Sequence, residues 1–188
     1  MKKPDEAISI RRVVTGHDKN GRSIIAQDDV STYTLTLPSV PGLVVTDLWR
    51  TFDSPADSQP SDEPCTHDIT LAPPSRGTVF RTVQFPPDAS YMDNWDPHAH
   101  FSAMGSASTL EDTPDNKTAM HRTQTVDYAI VLSGEIWALM DEEEVLLRPG
   151  DVLVQLATNH GWSNRGHQPA LVAFVLVDAE RSAGKPGL

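Results

Sequence analysis

Cysteine is nearly absent from this chain. Cys65 is the only one in 188 residues, so no disulfide can close within it, and a reducing, cytoplasmic setting is the expectation. Positive charge is also scarce: 15 Lys and Arg stand against 26 Asp and Glu, a formal charge of −11 with a pI near 4.9. A surface of that averaged sign repels nucleic acid and anionic membranes, so neither is expected as a partner. No apolar run approaches the roughly 20 residues that span a bilayer, and the opening Met1-Lys2-Lys3-Pro4-Asp5-Glu6 lacks the apolar segment of a signal peptide. Gly-x-Ser-x-Gly, a Walker loop and Gly-x-Gly-x-x-Gly after a strand are missing too, which removes nucleophile-elbow hydrolysis and phosphate cradling from consideration.

What is present reads as short strands between turns. At 188 residues the chain suits one domain with a real core. Residues 8–15 and 23–27 flank a turn at residues 16–21 that ends in Asn-Gly, a hairpin pattern. Residues 30–41 are polar and Pro-bounded, hence loop. Residues 43–52 and 77–85 are the next strands, and between them residues 53–68, rich in Pro, Ser and Asp, are expected to be exposed and mobile. Residues 88–119 are long for a connection and carry aromatics, so they are expected to cover a pocket, with a short helix around residues 98–104. Residues 170–177, ALVAFVLV, form an apolar run of strand length, buried on both faces. Residues 180–188 form a polar tail that frays.

The chain is organised around residues 120–162. Side chains an even number of residues apart share one face of a strand, so His121, Thr123, Thr125 and Asp127 project together. Breaks at Ser133-Gly134, at the acidic tip from Asp141 to Glu144 and at Pro149-Gly150 divide the stretch into strands. His160 lies several strands later, where a rolled antiparallel sheet brings it back towards His121.

At these residues the chain resembles the cupin superfamily. In the first cupin block, His-x-His followed by Glu and then Gly, the matching places are held by His121, Thr123, Asp127 and Gly134. In the second, Gly150, His160 and Asn164 hold the ends. Thr123 replaces the usual second His, Asp127 replaces Glu, Leu156 and Thr158 stand where Pro and Gly are usual, and the second block is one residue short. The resemblance implies an all-β fold, the double-stranded β-helix or jelly-roll barrel, with an N-terminal strand extension. Residues 1–110 would be the extension and part of a lid, 111–179 the barrel core and 180–188 the tail, one domain overall. It also implies a homodimer and a small-molecule substrate.

By the same resemblance His121, Asp127 and His160 are the candidate catalytic residues and metal ligands. Two imidazoles and a carboxylate are the set used by open non-haem iron sites. The ion would be a divalent metal, Fe, Mn, Ni or Zn. Thr123, Tyr128, Trp137, Trp162 and Asn164 are the candidate pocket residues. The alternative is a barrel without metal, in which His121 and Asp127 are a buried hydrogen-bonded pair. His98 and His100 are read as solvated loop residues, and His17, His67 and His167 as exposed. The expected function is a metal-dependent, lyase-type enzyme for a small organic acid or oxygenated aromatic, in which the ion or its bound water polarises a carbonyl or carboxylate in decarboxylation, dehydration or isomerisation. A non-haem Fe(II) dioxygenase and a non-catalytic binding barrel are the alternatives.

Overall fold

The computed structural model describes residues 7–110 and 119–180. It contains eleven strands among them: β1 (Arg11–His17), β2 (Ser23–Val30), β3 (Thr34–Thr36), β4 (Val44–Thr51), β5 (Thr78–Phe85), β6 (Thr125–Ser133), β7 (Ile136–Leu139), β8 (Glu144–Leu147), β9 (Val152–Leu156), β10 (Gly161–Ser163) and β11 (Ala170–Asp178). Only one α-helix, α1 (Pro97–Ala103), occurs among the described residues. A six-stranded sheet runs β3-β4-β5-β11-β6-β9, a three-stranded sheet runs β10-β7-β8, and β1 and β2 form a separate hairpin. All pairings are antiparallel. The fold is an all-β jelly roll.

Alternation along the strands decides what faces inward. In β6, Thr125, Asp127, Ala129 and Val131 are buried while Tyr128 and Leu132 are exposed. The core joins both sheets through Val79, Ala129, Val131, Ile136, Ala138, Leu147, Val172 and Phe174. Burying an aliphatic side chain of this kind contributes about 1.5–3 kcal/mol. β11 lies at the centre of the large sheet and buries both its faces over its first five residues. Between β6 and β7 the chain reverses at Gly134, where φ is 71° and an added Cβ would stand 2.6 Å from the Pro169 carbonyl oxygen. Only glycine meets both conditions.

Two expectations need correction here. Residues 30–41 include the edge strand β3, which pairs with β4 through Thr34 and Thr46. Residues 53–68 are irregular and largely exposed, but their far end is anchored. Pro64 and Cys65 are buried, and Glu63 accepts from the buried Arg12 guanidinium at 2.8 and 3.0 Å. That pair ties the loop to the hairpin. The last eight residues, 181–188, and residues 111–118 of the expected lid lie outside the described residues.

Candidate functional site

His121 and His160 meet because the chain pairs them across the barrel. Each donates its backbone N–H to the other's carbonyl, at 2.8 and 2.9 Å, an antiparallel bridge that puts both side chains on one face. Their rings lie 4.1 Å apart, centroid to centroid. Nδ1 of His121 is 2.9 Å from the Ala119 carbonyl oxygen, and Nδ1 of His160 is 3.1 Å from that of Thr158. A carbonyl only accepts, so each Nδ1 carries the proton and each Nε2 keeps its lone pair. The Gln155 side-chain amide also lies against Nδ1 of His160. The assignment that satisfies both contacts turns the amide oxygen towards the ring. The backbone on the approach to both histidines is left-handed, with φ of 55° at Ala119 and 50° at Ala157.

Asp127 stands on β6 opposite Gln155 of β9 and Leu176 of β11. It is buried, and its Oδ1 has no hydrogen-bond partner. Burial pushes its carboxyl up to about 6, with the Thr125 hydroxyl and the Arg81 charge pulling partway back. Arg81 is held on the cavity wall by Asp47, 2.9 Å from Nε as an ion pair without an aligned hydrogen bond, and by the Thr70 carbonyl at 2.7 Å. Burial lowers the Arg81 pKa, against the pull of Asp47. Asp47 is itself paired with Arg50. Burial likewise lowers His121 to about 4 and His160 to about 3, so both rings are neutral near pH 7.

These groups line a cavity of about 110 Å³, together with Phe85, Phe101, Trp162 and Phe174. Of the residues singled out from sequence, His121, Thr123, Asp127, His160 and Trp162 are on its wall. Thr123 shares a 2.8 Å hydrogen bond with Thr125. Tyr128 is not on the wall. It is 43% exposed on the outer face, because the strand that turns Asp127 inward turns its neighbour outward. Trp137 faces away for the same reason, between buried Ile136 and Ala138, and Arg165 stacks on it at 4.6 Å. Asn164 is buried as a brace: its amide nitrogen donates to the carbonyls of Phe85 and Gln168, and its oxygen accepts from Gly166.

His100 was misplaced by sequence reasoning. It is buried on α1 and lines the cavity, whereas His98, two residues away, is exposed. The available signal was the apolar company of His100 at Phe101 and Met104, both buried on the same short helix and its cap. Burial, and then the nearness of His121, lowers its pKa to about 4. His17, His67 and His167 are exposed.

The donor chemistry suits a metal in kind, with two neutral imidazoles presenting lone pairs and a carboxylate oxygen free of partners. The placement does not gather them. Among the described residues no group of three or more His, Cys, Asp or Glu could hold one ion. As placed, His121, Asp127 and His160 do not form a three-ligand centre.

No family model matches the chain. The cupin-domain-containing oxidoreductase fogC of Aspergillus ruber is 28% identical over 171 residues, covering 89% of this chain and 71% of that protein. Phomopsin biosynthesis cluster protein D of Diaporthe leptostromiformis is 40% identical over 87 residues, 45% of this chain and 46% of that protein. The cupin-domain-containing oxidoreductase srdD of Neurospora crassa is 31% identical over 96 residues, 49% of each. The matches to these last two thus span about half the length of each. Among solved structures, the Cupin_2 domain of an XRE family transcriptional regulator from Enterobacter cloacae aligns with a TM-score of 0.40 and 14% identity, over 74% of this chain and 99% of that one. The chain, an all-β jelly roll, is thus similar over most of its length to a protein that carries the cupin domain in its name, and over about half its length to another.

Proposed function

We propose that this chain is a small-molecule enzyme of the lyase type, acting inside the barrel on an organic acid or oxygenated aromatic by proton transfer. The observation that carries this reading is Asp127, a buried carboxyl on the cavity wall with an unpartnered oxygen. A general acid–base group works best with a pKa near the working pH, and burial moves Asp127 to about 6. Asp127 would take a proton from the carbon beside a substrate carbonyl and return it, which serves isomerisation or dehydration; delivering a proton to the carbon that loses carbon dioxide serves decarboxylation. Nε2 of His121 and of His160 would accept hydrogen bonds from substrate hydroxyls, and Thr123 would help to orient them. Removing such a group costs about 10²- to 10⁴-fold in rate. Asp127→Asn should therefore lower kcat on that scale and leave the melting temperature within a few degrees. Full turnover in that variant would sink the reading.

The names of the relatives favour a second reading, an oxidoreductase such as an Fe(II) dioxygenase. A divalent ion (Fe, Mn, Ni or Zn) would then supply redox or Lewis-acid chemistry, with Nε2 of His121 and of His160 as the donors on offer. Metal analysis of untagged protein, followed by oxygen uptake, separates the two. Stoichiometric iron with uptake favours the oxidoreductase, while turnover that persists in chelator favours the lyase. Tight binding without turnover would point to a non-catalytic barrel.

A further inference from the structure

Six buried side-chain polar atoms among the described residues have no hydrogen-bond partner. Three of them, Nε of Arg12, Oδ1 of Asp47 and Nε of Arg81, belong to ion pairs. The other three are Nε1 of Trp95, Nδ1 of His100 and Oδ1 of Asp127, and all three residues border one system of cavities. Asp127 lines the barrel cavity. Trp95 lines a smaller one of about 70 Å³. His100 lines both, as do Phe85, Phe101 and Trp162. A buried polar group left without a partner costs free energy on folding, about 1–3 kcal/mol each. A ligand, an ordered water or an ion can supply the missing partner of such a group.

The chemistry of the three atoms restricts that ligand. Indole nitrogen only donates, imidazole nitrogen can do either, and the carboxylate oxygen only accepts. The rings of Trp95 and His100 are 5.1 Å apart, and both belong to the segment between β5 and β6, the cap, which lines the cavities through Trp95, His100 and Phe101. Asp127 serves the barrel wall. Between them the lining is aromatic, with Phe101 4.7 Å from His121 and Trp162 5.3 Å from Phe174, and such walls favour a flat ring. We propose that Trp95 and His100 are specificity-determining residues that bind an acceptor oxygen of the substrate. The substrate class is then a planar ring with a carbonyl-type oxygen at one end and a hydroxyl at the other, the hydroxyl lying against Asp127. This deepens the function proposed above and rests on it only in taking the cavity as the substrate site.

Binding of three matched probes reads the proposal without any turnover. 4-Hydroxyacetophenone has both groups, 4-ethylphenol lacks the carbonyl and acetophenone lacks the hydroxyl. By NMR titration, Trp95→Phe and His100→Phe should each weaken 4-hydroxyacetophenone about tenfold and leave 4-ethylphenol unchanged. Their melting temperatures should hold or rise, because an unsatisfied buried group has been removed. Asp127→Asn should weaken 4-ethylphenol more than acetophenone. Equal losses for all three probes, no loss in either cap variant, or no binding to the parent chain would overturn the proposal. If Asp127→Asn keeps full turnover while the cap variants show the expected pattern, the lyase reading fails and the subsite stands.

Discussion

Asp127 and the cavity histidines couple folding to pH in opposite senses. His100, His121 and His160 are neutral in the fold and gain protons on unfolding, since their folded values of about 4, 4 and 3 lie below the ordinary 6.5. Their contribution is fully present above pH 6.5 and is lost as pH falls towards 4. Asp127 runs the other way: its folded value of about 6 exceeds the ordinary 3.9, so its contribution is present below that and is lost as pH rises through 6. With three groups against one, the guanidinium midpoint should drop between pH 7 and pH 5. It should drop more steeply in Asp127→Asn, which lacks the opposing proton; an unchanged slope would show that Asp127 titrates normally. The inward set at His121, Thr123, Thr125 and Asp127 was legible from even spacing alone. The same parity excludes Tyr128 once Asp127 faces inward. For Trp137 parity gave no answer in advance, because both faces of β7 are apolar.

At the scale of elements, the cap segment is the part that sequence described least well. Its bridge from Leu110 to His121 and the hydrogen bond from Leu71 N–H to the Met104 carbonyl fasten it to the barrel. Phe101 is 3% exposed and Met104 4%, so these residues hold the segment down as core residues do. Phe101→Ala should then cost about 3 kcal/mol, the low end for such a truncation because the site already borders a cavity. Urea unfolding checks it, and a loss under 1 kcal/mol would show a loosely seated cover. Local pattern located the helix, with Pro97 at its start and Asp96 capping the Ala99 N–H. Which of its two histidines turned inward depended on where the barrel wall lay, and only tertiary packing supplies that.

For the whole molecule, the outer face of the six-stranded sheet is unusually apolar. Phe80, Tyr128, Leu132, Val152, Val154 and Leu156 are between 40 and 61% exposed, and Tyr128 pairs directly with Val154, Val126 with Leu156. The β1–β2 hairpin exposes Val13, Ile24, Ile25 and Val30 as well. Contiguous apolar surface of this kind marks an interface. In a two-fold dimer the hairpin of one copy and the sheet of the other can cover each other reciprocally, with roughly 800 Å² per partner the usual requirement. Light scattering at micromolar concentration should give twice the mass of 20.6 kDa, and Val154→Lys with Leu156→Lys should give the single mass. A parent chain that is already a monomer would refute this arrangement.

The left-handed alanines before the two histidines set stability against precision. A non-glycine residue in that conformation costs about 1–2 kcal/mol, and the strain persists at both ends of the same bridge. Ala119→Gly and Ala157→Gly should each raise the melting temperature while lowering kcat, because the carbonyls that aim the imidazoles would gain freedom. A screen for thermostability alone would select these changes and lose the proposed activity; a library selected for turnover should keep alanine at both positions.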